Sequence, residues 1–174
     1  MQYDPRQTGS PPAPIEPSGF FAGIQIRPII MGVVVDTVAT IALISFYYSF
    51  YVAPGGAGGK GAAFEEDAAA FWASSEGLTA SLLLGSLGTL IGGFYAAYKA
   101  GTLEMKHGAL VGIGSIIIGI LFESGGSEQQ LPEWFAALSF AAAIPAGALG
   151  GFFAEMFKGI TGGRSSSAVN LPGR

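Results

Sequence analysis

Four apolar stretches separated by short polar or glycine-rich breaks dominate the pattern of hydrophobic and polar positions along the chain. The first, IIMGVVVDTVATIALISFYYSFYV over about 29–52, is long enough to cross a hydrocarbon core of ~30 Å with some tilt. It closes on Tyr47, Tyr48 and Tyr51, which fit an aromatic belt at a membrane interface. Further spans are predicted over about 77–98, 107–122 and 132–157. The third is short, so it should stand upright or borrow residues from its flanks. The expected fold class is all-α: an integral membrane four-helix bundle occupying residues 20–158.

The breaks carry their own patterns. Residues 1–19 are proline-rich and 159–174 polar, and both are expected to be disordered tails. The polar start leaves no cleavable signal sequence in view, so the first span is expected to be a retained anchor. Gly19 to Ile26 brings Phe20, Phe21 and Ile24 together on a predicted short helix at the headgroup layer, before Arg27 and Pro28 open the first span. After PGGAGGKG, the stretch AAFEEDAAAFWASS places Phe64, Ala68, Phe71 and Trp72 on one helical face, with Glu65, Glu66 and Asp67 largely opposite. That is the pattern of a short interfacial helix on the outer surface, or of a helix running straight into the second span. ESGGSEQQ is a turn, and Pro132 with Trp134 restarts the chain at the outer interface.

Within the spans, small residues recur at helical spacing. Ser81, Gly85, Thr89, Gly93, Ala97 and Gly101 lie every fourth residue along the second span and form one continuous stripe. Gly108 and Gly112 repeat the spacing on the third span, Gly147 and Gly151 on the fourth, and Gly32 sits on the first. In water such helices would be weak, because a helical glycine costs about 1 kcal/mol relative to alanine. In lipid the backbone must satisfy itself, and small residues let neighbouring helices approach closely. These faces either pack this chain alone or leave surface for self-association. GGFYAAYKAG from Gly92 and GGFFAEMFKG from Gly150 also share five of ten residues, which hints at two related hairpins.

Charge sets a direction. Arg6, Arg27, Lys99, Lys106, Lys158, Arg164 and Arg174 fall on one side of the predicted bilayer and Lys60 alone on the other, so both termini are expected in the cytoplasm. Glu65, Glu66, Asp67, Glu76, Glu123, Glu128 and Glu133 then face outside. Half of the residues are hydrophobic (50%) and only 11% are charged, which places the chain in a lipid bilayer. A net charge of −4 with no basic cluster offers nothing to nucleic acid. The chain has no cysteine, which removes disulfides, thiolate nucleophiles and iron–sulfur ligation. With a single histidine and no nucleotide-binding or zinc-hydrolase motif, no cofactor, no metal and no catalytic residues are expected.

Asp36 is the polar residue that demands a reason. It lies near mid-bilayer, where a lipid-facing carboxylate would cost about 2.5–3.5 kcal/mol, so it should face the bundle interior. Counting to the same depth on the other spans reaches Thr89 or Ser86, Ser115, and the Pro145 to Gly147 turn, where Pro145 frees the Ala141 carbonyl. Two readings of this polar layer stand open: a protonatable or cation-binding site on a permeation path, or a neutral carboxyl holding helices together. Glu155 and Lys158 are expected to pair at the inner interface. His107, beside Lys106, is expected to meet phospholipid there or cap a helix, with Arg27, Lys99, Trp72 and Trp134 as further interfacial anchors.

The pieces MGVVVDTVATI and GGFYAAYKAGTLEMKHGALVG resemble four-span bacterial inner-membrane proteins of unknown function, which share a Gly-x-x-x-Asp pair in span one and a GGxxAA turn running into HGALVG. The resemblance covers roughly 27–158 and implies the fold and a bacterial inner membrane. It brings no activity. The expected function is therefore that of a non-catalytic membrane protein, a scaffold or accessory subunit of a larger complex or a self-associating bundle. The alternative is a small channel or proton-coupled transporter that uses Asp36.

Overall fold

The computed structural model describes residues 19, 21–53, 62–124 and 132–162. Both expected tails apart from their inner edges, the glycine-rich break with Lys60, and the ESGGSEQQ turn from 125 onward lie outside the described residues. All elements among the described residues are helical: α1 (Ile26–Tyr47) with a π-helical turn (Tyr48–Val52), α2 (Ala62–Ala73), α3 (Ser75–Ala100), α4 (Glu104–Ser124) and α5 (Glu133–Gly162). Four of them are long and apolar enough to cross a membrane, and together they form a four-helix bundle. The third span does borrow from its flank, since α4 begins at Glu104.

The outer surface shows why this is a membrane fold. Ile30, Val34, Val38 and Ile41 on α1, Leu83 and Leu87 on α3, and Ile113, Ile117 and Ile120 on α4 are exposed. The buried apolar core is instead mostly small, Ala96, Ala97, Ala100, Val111, Ala146 and Ala154, with Leu78 and Tyr48 as its larger members. Large apolar side chains outside and small ones inside suit lipid, where close backbone packing replaces the hydrophobic drive.

α3 and α4 lie side by side at the centre, each touching both α1 and α5, while α1 and α5 do not meet. Glycines set these approaches. A Cβ on Gly32 of α1 would come within 2.7 Å of both Ala96 and Val111, and one on Gly92 of α3 within 2.6 Å of the Asp36 Cβ. Gly147 of α5 fits between Gly93 of α3 and Gly108 of α4, Gly112 backs onto Ala143, and Gly151 onto Glu104 and Met105. The two halves of the faint repeat are used differently: Gly92 faces α1, whereas its counterpart Gly150 faces Leu90 and Phe94 of α3.

One expectation about α3 changes. The stripe from Ser81 to Gly101 is not one docking groove. Gly93 and Ala97 are buried in it, but a Cβ on Gly85 would meet nothing within 4 Å, and Ser81 and Gly85 line a cavity. The contact with α1 runs instead along the adjacent row, Gly88, Gly92 and Ala96. Spacing fixes a stripe but not the direction it faces.

At the ends, local chemistry shapes the corners. Ser74 caps α3, its Oγ accepting the Gly77 N–H at 3.1 Å and donating to the Phe71 carbonyl at 2.6 Å, so α2 turns into α3 through a sharp corner rather than running straight on. α2 then lays Phe71 and Trp72 against Tyr47 and Tyr48, with ring centroids 5.9–6.5 Å apart. Gly101 ends α3 in the left-handed conformation, at φ 75°. The segment before α1 is a turn and not the expected short helix. Its Ala22 N–H donates to Gly19, Gly23 takes φ 78°, and Gln25 is extended, so left-handed Gly23 interrupts any helical run. Pro28 occupies the first turn of α1 as expected.

Candidate functional site

Asp36 is only 5% exposed and is surrounded by hydroxyls from three helices. Thr40, one turn along α1, donates to its Oδ1 at 3.2 Å. Thr89 of α3 reaches both carboxyl oxygens at 3.3 Å, and Ser115 of α4 donates to Oδ2. Gly88 and Gly92 make this possible, because side chains there would collide with Thr40 and Asp36 and hold α1 away from α3. The expected meeting of Asp36, Thr89 and Ser115 at one depth is what the fold provides.

The same hydroxyls have second acceptors. Ser115 Oγ lies 3.0 Å from the Val111 carbonyl and Thr89 Oγ1 lies 3.1 Å from the Gly85 carbonyl. Each hydroxyl has one proton to give. When Asp36 is ionised, Ser115 donates to it. When Asp36 is protonated, its O–H donates to Ser115 Oγ, and Ser115 turns its own proton to Val111. Both arrangements leave every polar atom paired, and they differ by one hydroxyl rotation.

The carboxyl stands at the blind end of a cavity of about 420 Å³. From Asp36 this space runs toward the α2 end of the bundle, between Thr40 and Ile41 of α1, Ser81, Gly85 and Ser86 of α3, Gly119 and Phe122 of α4, and Ser139, Phe140 and Ala143 of α5. Toward the other end it is shut by the packing of Gly32 against Gly92, Ala96 and Val111, of which Ala96 and Val111 are fully buried. Among the described residues, Asp36 is the one ionisable residue of the lining.

Two expected members of the polar layer sit elsewhere. Ser86 lines the cavity, but its hydroxyl donates to the Leu82 carbonyl at 2.7 Å and not to Asp36. Pro145 is exposed on the outside of α5. Phe140, Ala143, Gly147 and Gly151 form the inward stripe of that helix, and a residue two places from Ala143 and Gly147 is turned ~200° from each. The fourth span, α5, contributes Ser139, which depth counting missed. Gly88 and Gly92 were also missed, although their four-residue spacing beside the chosen stripe was a readable signal.

At the opposite end, His107 is fully buried and does not meet lipid headgroups. Its Nε2 accepts the Gln25 backbone N–H at 3.0 Å, and its Nδ1 lies 3.1 Å from the Leu103 carbonyl. An N–H can only donate and a carbonyl can only accept, so the ring is the neutral Nδ1–H tautomer. Gln25 also donates through Nε2 to the Ala100 carbonyl at 3.0 Å, which ties the start of α1 to the α3–α4 corner. Lys158 pairs with Glu104 at 3.1 Å, not with Glu155, and donates to the Ala97 carbonyl at 3.0 Å near the C-terminus of α3. The start of the antiparallel α4 offers it a carboxylate and the C-terminal end of the parallel α3 a carbonyl, whereas Glu155 is exposed. Arg27 and Lys99 are exposed, Lys99 lying 5.9 Å from the Tyr95 ring. Lys106 is half-buried, and Trp134 packs edge-on against Phe135.

Among the described residues no group of three or more His, Asp or Glu side chains is placed to hold a metal ion. No family model matches the chain, and no curated protein or solved structure matches it significantly.

Proposed function

We propose that this chain is a small non-catalytic carrier of a bacterial inner membrane, in which Asp36 takes up and releases a proton. The observation that carries this reading is the position of Asp36: a carboxyl at the blind end of an intramembrane cavity, held by hydroxyls that accommodate either protonation state. A carboxyl serving only as interhelical glue needs no cavity before it. The small-residue faces that favoured self-association are largely consumed inside the bundle, where Gly93, Gly108, Gly112, Gly147 and Gly151 all meet backbone. That weakens the argument for a scaffold or accessory subunit. Arg27, Lys99, Lys106 and Lys158 gather at the end away from α2, while Glu65, Glu66, Asp67 and Glu76 gather on α2 and the start of α3. By the bias of positive residues, the closed end faces the cytoplasm and the cavity faces outward.

The test is proton movement in liposomes holding the full-length chain and a trapped pH-sensitive dye. An imposed potential should drive a flux that Asp36→Asn removes while the bundle stays folded by circular dichroism. Equal flux in the wild type and Asp36→Asn, or none above empty liposomes in either, overturns the proposal.

A further inference from the structure

We infer that the cavity binds a hydrophobic organic cation, a ligand with one ammonium group and a compact apolar body, and that its ammonium and a proton are alternative partners of Asp36. This rests on the carrier reading above for its role, but the binding site stands on its own geometry. A space of about 420 Å³ falls within the range that accepts small organic ligands. Its walls are mainly apolar or glycine, among them Ile41, Leu82, Ile116, Ile118 and Phe140. Such walls favour an apolar body on the ligand.

Charge then decides the head group. Among the described residues, Asp36 is the sole charged or titratable group facing the cavity; α3, α4 and α5 present only hydroxyls and apolar groups to it. An anion would meet a carboxylate with no compensating cation, and a neutral ligand would leave the carboxylate unused. An ammonium supplies N–H donors, and the hydroxyl oxygens of Thr40, Thr89 and Ser115 stand around it as further acceptors. The exchange balances. A protonated carboxyl and R–NH₃⁺ give a carboxylate–ammonium pair and one proton released, with no other bond made or broken. The proton and the ammonium therefore compete for one carboxylate.

The experiment uses three probes with one body: 1-adamantylammonium, 1-adamantanol and 1-adamantanecarboxylate, titrated calorimetrically into the full-length chain in lipid nanodiscs. The ammonium should bind at least about tenfold more tightly than the alcohol. The carboxylate should show no binding. Acidification should weaken the ammonium and leave the alcohol unchanged. Asp36→Asn should bring ammonium and alcohol within about twofold of each other. Gly85→Phe, which fills the cavity at a position where a Cβ meets nothing, should abolish binding of both without touching the carboxyl. Equal affinity for ammonium and alcohol, as a lipid-chain cavity would give, overturns the inference, as does binding of the carboxylate, a pH-independent ammonium affinity or no binding at all. Asp36-dependent proton flux without ammonium binding would overturn the substrate class alone. Ammonium binding without flux would overturn the carrier reading alone.

Discussion

Gly93 of α3 and Gly147 of α5 meet backbone to backbone, so that a Cβ on Gly93 would lie 2.9 Å from the Gly147 Cα. Gly147 is pressed as closely from the other side by Gly108, and a Cβ on it would lie 3.0 Å from the Gly112 nitrogen. Backbone on both sides cannot yield as a side chain can. Gly147→Ala should therefore destabilise the bundle by about 2–3 kcal/mol, the upper range for overpacking. Gly85→Ala, facing open space, should be neutral or slightly stabilising. Unfolding in mixed micelles with increasing denaturing detergent checks both.

The tautomer of His107 is fixed by its two partners, the Gln25 N–H and the Leu103 carbonyl. Because the chain contains one histidine, a ¹⁵N-histidine spectrum should show a single ring with protonated Nδ1 and unprotonated Nε2. His107→Leu should cost about 1–3 kcal/mol by leaving the Gln25 N–H without its acceptor. An Nε2–H spectrum would show that the Gln25–His107 hydrogen bond is not formed.

Lys158 makes three contacts: the Glu104 carboxylate, the Ala97 carbonyl and the Tyr98 ring at 5.5 Å. Its side chain remains 28% exposed, so solvent screens the pair. Glu104→Gln should therefore cost under about 1 kcal/mol. Lys158→Met, which also uncovers the end of α3, should cost about 1–2 kcal/mol. A double-mutant cycle on unfolding free energies separates the two contributions.

The hydroxyls around Asp36 should not be equivalent. Ser115 both donates to the ionised carboxyl and accepts from the protonated one, whereas Thr89 spreads its single proton over both carboxyl oxygens, each at 3.3 Å, and the nearer Gly85 carbonyl at 3.1 Å. Ser115→Ala should slow proton flux by about tenfold, the equivalent of one net hydrogen bond, and Thr89→Val by only about twofold to threefold. Initial rates of dye quenching in liposomes give the order, and equal effects would remove Ser115 from the proton step.

Depth was legible in the sequence and direction was not. Hydropathy found the spans, and counting residues from their ends placed Asp36, Thr89 and Ser115 on one level, because rise per residue is nearly constant in a helix. Counting carries no information about rotation among neighbours. That is why Pro145 falls on the outside, why the contact with α1 belongs to Gly88 and Gly92, and why His107 lies fully buried despite its place beside Lys106. In a soluble helix the apolar face would have shown which side is inward. Here both sides are apolar, and only the sizes of side chains differ, so glycine rows compete as candidates.

Orientation can be measured directly, since a chain without cysteine accepts single cysteines as unambiguous reporters. Glu66 on α2 and Lys99 near the end of α3 are both exposed and lie at opposite ends of the bundle. With the cation-rich end inside the cell, Glu66→Cys should react in intact spheroplasts with a membrane-impermeant maleimide, and Lys99→Cys only after the membrane is opened. Gly85→Cys, in the cavity wall, adds a functional reading to the map. Labelling there from the same side as Glu66→Cys means that the cavity communicates with the outer solution, and protection from both sides means that it is sealed from water. Labelling of Lys99→Cys from outside would invert the bundle and place the carboxyl and its cavity toward the cytoplasm.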